Sequence, residues 1–159
     1  MVLNGDGEEF YYIQTMFYSS KSITSNRAQT AYAYRKNRIA YRYYYNGIWS
    51  EWVIYEETEW QEVSNFLNGW VNYGESFSTA GYKKNGKLVY LKGLIKSGTI
   101  GANAFRLATE YRPSTTRIFS GIANSGTLAE IRVEKSGYVT ITRGTTSWVS
   151  LDGISYYLD

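Results

Sequence analysis

The side chains best placed by type and spacing to hold a ligand are Lys83, Lys84, Lys87, Tyr111, Arg112 and Arg117. The three lysines flank Asn85-Gly86, a tight-turn pair, so they read as a basic hairpin tip able to meet phosphate groups. The ordinary alternative is a solvated turn whose charges keep the sheet edge from pairing with other sheets. Tyr111 precedes RPSTTR, residues 112–117, a polar loop with two arginines and the only proline. Loops on a rigid sheet carry function disproportionately, although a plain strand connection fits the same residues. Tyr41, Tyr43, Tyr44 and Tyr45 beside Arg38 and Arg42 form an aromatic and cationic cluster able to stack on sugar faces or bases. Ordinary strand alternation also accounts for it, with one tyrosine set in a core and the other at a contact between subunits.

Several chemistries fall away on composition. The chain has no His and no Cys, which removes Ser–His–Asp and Cys–His catalysis, the commonest metal ligand and disulfide reinforcement. Carboxylate pairs are the remaining hydrolytic option. Glu56, Glu57, Glu59 and Glu62 crowd one acidic stretch and fit a solvated helix face. Glu130 and Glu134 lie at strand spacing beside Arg132 and fit cross-strand ion pairs, while Asp152 and Asp159 lie near the C-terminal end. No nucleotide or calcium-loop motif occurs, so the expectation is a non-enzyme with no cofactor and no metal. A net charge of +3 falls short of a nucleic-acid footprint. With no apolar run of about 18 residues and no basic-then-apolar leader, neither a membrane span nor a signal peptide is expected.

The elements that must position these residues are β. Aromatics make up 18% of the chain, with 17 Tyr and 5 Trp against one Pro, a balance suited to pleated strands. Residues 1–9 read as a loop or the truncated end of a longer protein. Strands are expected over residues 10–17, 27–34, 38–45 and 48–55, the last two joined by Asn46-Gly47 and closed by Trp49 and Trp52. In residues 56–69, Trp60, Val63 and Leu67 fall at i, i+3 and i+7, which predicts a short amphipathic helix or a helical neck between chains. Beyond Trp70, strands are expected at 82–95 as a hairpin, then 104–107, 117–123, 128–134, 138–143 and 147–157, with Gly-containing turns at 124–126 and 136–137. The fold class is therefore mainly β: a shoulder domain over 1–55, a helical neck over 56–69, and an antiparallel sandwich or jelly-roll-like head over 70–159. Domains of about 70–90 residues bury only about two thirds of their unfolded surface, so oligomerisation is expected to supplement each.

With these motifs laid out, the chain resembles the C-terminal end of a bacteriophage tail fibre or receptor-binding protein. Residues 13–52, containing IQTMFYSS, QTAYAY and AYRYYYNGIWSEW, are similar to the pyocin-knob module of phage and phage-tail-like fibres. The pattern departs in its short, Gly-poor start, as for a knob that is incomplete or begins upstream. Residues 67–155, containing LNGWVNYG, GYKKNGKLVYLKGLIKSGTIG, FRLATEYRPS and GYVTITRGTTSWVSLDGIS, resemble the terminal head of fibres from phages of Gram-positive hosts. The resemblance implies a homotrimer at the fibre tip or baseplate of a virion, attached to the rest of the tail upstream. Its head would adsorb to a bacterial cell-surface polysaccharide such as wall teichoic acid without cleaving it. No nucleic-acid or membrane partner is implied, and the resemblance carries over no binding residue position by position. Two other readings stay open: a monomeric carbohydrate-binding module of a secreted protein, and a purely structural fibre segment.

Overall fold

The computed structural model describes residues 10–159, so the expected loop at 1–9 lies outside the described residues. The chain divides into two compact units, Met1–Thr58 and Glu59–Asp159. Both are mainly antiparallel β.

In the first unit, β1 (Tyr11–Phe17), β2 (Arg27–Ala33) and β3 (Arg38–Tyr45) pair in sequence order. The other side of β3 pairs with β4 (Ile48–Trp49) and then β5 (Val53–Glu56). Asn46 and Gly47 both take positive φ, 50° and 84°, the type I′ turn whose twist matches the strands it joins. Where one strand was expected over 48–55 there are two, interrupted over residues 50–52. The Ser50 N–H still reaches the Tyr43 carbonyl, and the break lets Trp52 pack against the sheet's only buried pair among the described residues, Ala31 and Ala40.

Register then sorts the side chains by face, because neighbours along a strand point to opposite sides. One face carries the rungs Tyr12–Tyr32–Ile39–Tyr55, Gln14–Thr30–Tyr41–Val53 and Met16–Ala28–Tyr43. The other carries Ile13–Ala31–Ala40–Ile54, Thr15–Gln29–Arg42 and Phe17–Arg27–Tyr44–Trp49. On this second face the cations interleave with the rings. Arg27 lies 4.2 Å from the Tyr44 ring and 5.3 Å from Trp49, and Arg42 lies 4.1 Å from Trp49 and 4.5 Å from Trp52. Gln29 bridges, accepting from Arg42 Nε at 2.9 Å and donating to Thr15 at 3.2 Å.

The second unit opens with the segment expected to be helical, and here the expectation fails. Residues 56–69 contain no helix: the end of β5, then β6 (Gln61–Glu62), then extended chain. The Val63 N–H bonds to the Ala80 carbonyl at 2.8 Å and its side chain enters the core, whereas Leu67 stays 37% exposed. A stripe of fewer than two heptads could not outweigh a ready strand partner, and Asn68 and Gly69, both at positive φ, turn the chain instead.

The remaining strands are β7 (Val71–Asn72), β8 (Gly81–Asn85), β9 (Leu88–Lys92), β10 (Leu94–Lys96), β11 (Asn103–Arg106), β12 (Arg117–Ile122), β13 (Leu128–Val133), β14 (Tyr138–Arg143), β15 (Val149–Ser150) and β16 (Ser155–Tyr157). In place of two continuous sheets they form three, ordered β16-β9-β8-β6, β15-β10-β7 and β11-β14-β13-β12. Gly93 separates β9 from β10. At φ 100°, a Cβ there would stand 2.4 Å from the Thr79 carbonyl oxygen, so only glycine lets one strand feed two sheets. One core, including Trp70, Val89, Ile95, Phe105, Ile131, Ile141 and Leu151, receives side chains from all three sheets. Trp70 lies flat on Gly98, where any Cβ would sit 2.0 Å from its ring.

Candidate functional site

The six residues singled out by type do not form one surface. Lys83 and Lys84 are neighbours on β8 and therefore face opposite sides: Lys83 Nζ stands 5.3 Å from the Trp60 ring and Lys84 Nζ 5.4 Å from the Tyr111 ring. Lys87 is exposed, and its carbonyl accepts the Leu158 N–H. Tyr111 is buried, packed edge-on against Tyr82, and its carbonyl accepts the Tyr156 hydroxyl at 2.6 Å. Arg112 donates Nε to the Leu107 carbonyl at 2.9 Å and lies against Gly137, where a Cβ would come within 2.4 Å of that nitrogen. Arg117 forks onto both oxygens of Asp159 at 3.1 and 2.9 Å, and Ser114 donates to the same carboxylate.

Ionisation follows these contacts. The Ser114 hydrogen bond, with the charges of Arg117 and Lys87, holds the Asp159 carboxyl below its ordinary range. Burial pushes the Tyr156 phenol above its own. Glu130, expected in a cross-strand pair, instead takes Nε and Nη2 of Arg132 on its own strand at 3.0 and 2.9 Å, and also the Thr142 hydroxyl. Among the described residues no cluster of three or more Asp, Glu, His or Cys could hold a metal ion. No helix of the described residues is long and apolar enough to cross a membrane.

Concave surface occurs elsewhere in the second unit. A cleft of about 670 Å³ opens where the β15-β10-β7 sheet meets the edge strand β12, within the range of about 300–1,000 Å³ usual for ligand pockets. Three aromatic residues contribute to its walls: Tyr73 after β7, Phe77 in the following loop, and Trp148 ahead of β15. Tyr73 and Phe77 meet edge-on at 5.3 Å. Gly74 at φ 87° and Glu75 at φ 58° turn the loop so that the Phe77 N–H reaches back to the Gly74 carbonyl. Trp148 is held through its carbonyl, which accepts from the Asn124 N–H and the Thr145 hydroxyl.

Polar groups enter from three places: Ser120 on β12, Ser150 on β15, and Asp152 just beyond it. The Asp152 carboxylate is fixed, accepting the Gly93 N–H at 2.8 Å on one oxygen and the Ser150 hydroxyl at 3.3 Å on the other. Gly121 also lines the cleft, and a side chain there would meet the Ser150 carbonyl at 2.9 Å and Ile131 at 2.7 Å. Leu94, Ile122, Leu128 and Gly153 complete the lining. Flat rings beside a fixed carboxylate and hydroxyls suit a ligand with both apolar faces and hydroxyl edges.

Residue type and spacing point to none of the cleft residues except Asp152, one of two carboxylates near the C-terminal end. The available signal was single large aromatics, Phe77 and Trp148, inside the short polar stretches GESFST and RGTTSW. Their meeting across about 70 residues of chain is a product of the sheet order. No protein-family model, curated protein or solved structure matches this chain.

Proposed function

We propose that this chain is the receptor-binding end of a bacteriophage tail fibre, a virion protein that docks on a host cell-surface glycan and does not cleave it. The observation that carries the reading is the cleft walled by Tyr73, Phe77 and Trp148 around Asp152, Ser120 and Ser150. Aromatic rings stack on the apolar faces of sugar rings while a carboxylate and hydroxyls take the sugar's hydroxyl groups. Glycoside hydrolysis uses two facing carboxyl groups, and among the described lining residues Asp152 supplies one.

Assembly as a homotrimer belongs to the same reading. In the first unit, Tyr12, Tyr32, Ile39, Tyr41, Tyr43 and Tyr55 are all more than 40% exposed on one uncharged sheet face, and apolar patches of this kind mark contact surfaces. Three weak glycan sites on one particle raise overall affinity about a hundredfold or more without new contacts.

The test is titration of the purified protein with polysaccharide from host walls, followed by tryptophan fluorescence and by adsorption to whole cells. Trp148→Ala is expected to weaken binding at least tenfold while the melting temperature holds within a few degrees. Wall polymer that leaves fluorescence unchanged and cells that do not retain the protein would overturn the reading. Release of new reducing ends would overturn its non-enzymatic part.

A further inference from the structure

Resting on the reading of the cleft as a glycan site, we infer that its ligand is a neutral or N-acylated sugar unit and not the phosphate of an anionic wall polymer. The chain carries 17 Lys and Arg against 14 Asp and Glu, yet none of its cations is among the described residues lining the cleft. The one ionised group there is the Asp152 carboxylate. Two cations stand two positions from the wall residue Leu94 and neither lines the cleft: Lys92 pairs with Glu62 at 2.8 Å, and Lys96 Nζ stands 4.8 Å from the Tyr73 ring centroid.

The two oxygens of Asp152 have different tasks. One accepts the short Gly93 amide bond that ties β9 and β10 to the loop after β15. The other takes only the longer Ser150 contact, leaving acceptor capacity toward the cleft. A carboxylate so placed accepts from sugar hydroxyls or an acetamido N–H, bonds that are shorter and stronger than neutral ones. A phosphate oxygen offers it no proton and brings like charge beside it, with no Lys or Arg among the described lining residues to offset the repulsion. The apolar remainder, Leu94, Ile122 and Leu128 beside the three rings, suits the C–H face of a pyranose or an N-acetyl methyl group. Such a sugar can come from a neutral polysaccharide or from a glycosyl substituent on an anionic polymer, and the cleft recognises what the two share.

The whole protein is titrated with methyl glycosides and short oligosaccharides of neutral hexoses and N-acetylhexosamines, each matched with its 6-phosphate. Further arms use unsubstituted and glycosylated poly(glycerol phosphate). Amide chemical shifts of Gly93, Gly121 and Gly153 report whether binding occurs in the cleft. The expected result is that at least one neutral sugar shifts these amides and its 6-phosphate binds at least tenfold more weakly. Asp152→Asn, which keeps an acceptor for the Gly93 amide, is expected to weaken the neutral sugar about fivefold or more and to narrow the gap to its phosphate. Binding of glycosylated but not bare poly(glycerol phosphate) assigns the sugar to a polymer substituent; binding of neutral oligosaccharides alone assigns it to a neutral polysaccharide. A phosphate-bearing sugar or the bare polymer binding the cleft as tightly overturns the neutral class while leaving the cleft a glycan site. No shift at these glycines with any arm overturns both.

Discussion

Tyr156 and Asp159, three positions apart near the end of the chain, have different consequences. The Tyr156 hydroxyl donates to the buried Tyr111 carbonyl, so Tyr156→Phe leaves that acceptor without its partner. A loss of about 1–3 kcal/mol is expected in denaturant unfolding of the second unit, the ordinary cost of orphaning a buried polar group. Asp159 gives a pH dependence instead. Its folded-state pKa lies below the unfolded value of about 3.9 because Ser114 and Arg117 favour the charged form. A depressed carboxyl contributes stability that is present above the unfolded pKa and is lost as pH falls through the folded one. Melting temperature is therefore expected to decline below about pH 4, and Asp159→Asn to make that decline shallower. Glu62 acts in the same direction through its hydrogen bonds with Lys92 and Thr79, so a residual slope survives the substitution.

At the scale of elements, hairpins were legible and longer partnerships were not. Asn46-Gly47 occupies the turn between Tyr45 and Ile48 as its local chemistry predicts, whereas in the second hairpin Asn85 pairs with Leu88 and the turn residues are Gly86 and Lys87, one position beyond the expected Asn85-Gly86. Residues 56–69 misled because three apolar residues at helical spacing describe a stripe without saying what lies opposite. The free edge of β8 and the core slot for Val63 come from residues about 20 positions away. The hinge at Gly93 and the stack on the first sheet are similar cases. Gly93→Ala forces a Cβ against the Thr79 carbonyl at positive φ, and a loss of about 2 kcal/mol or more is expected in chemical unfolding, with weaker glycan binding through displaced Asp152. Trp52→Ala uncovers Ala31 and Ala40 and removes one ring from Arg42. With a cost of about 3 kcal/mol, toward the low end for a large aromatic, limited proteolysis is expected to cut rapidly before Thr58 while the second unit, with its own core, resists.

For the whole molecule, the two units differ in how they hold together. The second encloses twenty buried hydrophobic residues in one cluster, whereas the described part of the first encloses two alanines and leaves a row of tyrosines and isoleucines exposed. A sheet with so little interior is stabilised by covering that row, and the proposed trimer does so. Light scattering at micromolar concentration is expected to give three times the 18.2 kDa chain mass, and Tyr41→Lys with Tyr43→Lys to lower it; a wild-type monomer would remove the trimer. Side-chain type and nearest neighbours alone determined that the chain is mainly β, lacks the residues of His- or Cys-based catalysis, and turns at Asn46-Gly47. Which cations are spent on Trp60, Tyr111, Leu107 and Asp159, and which aromatics converge on Asp152, was decided only by the tertiary structure. A cleft lined from the loop after β7 and from β10, β12 and β15 depends on contacts between residues tens of positions apart, and residue type and local spacing carry no record of those distances.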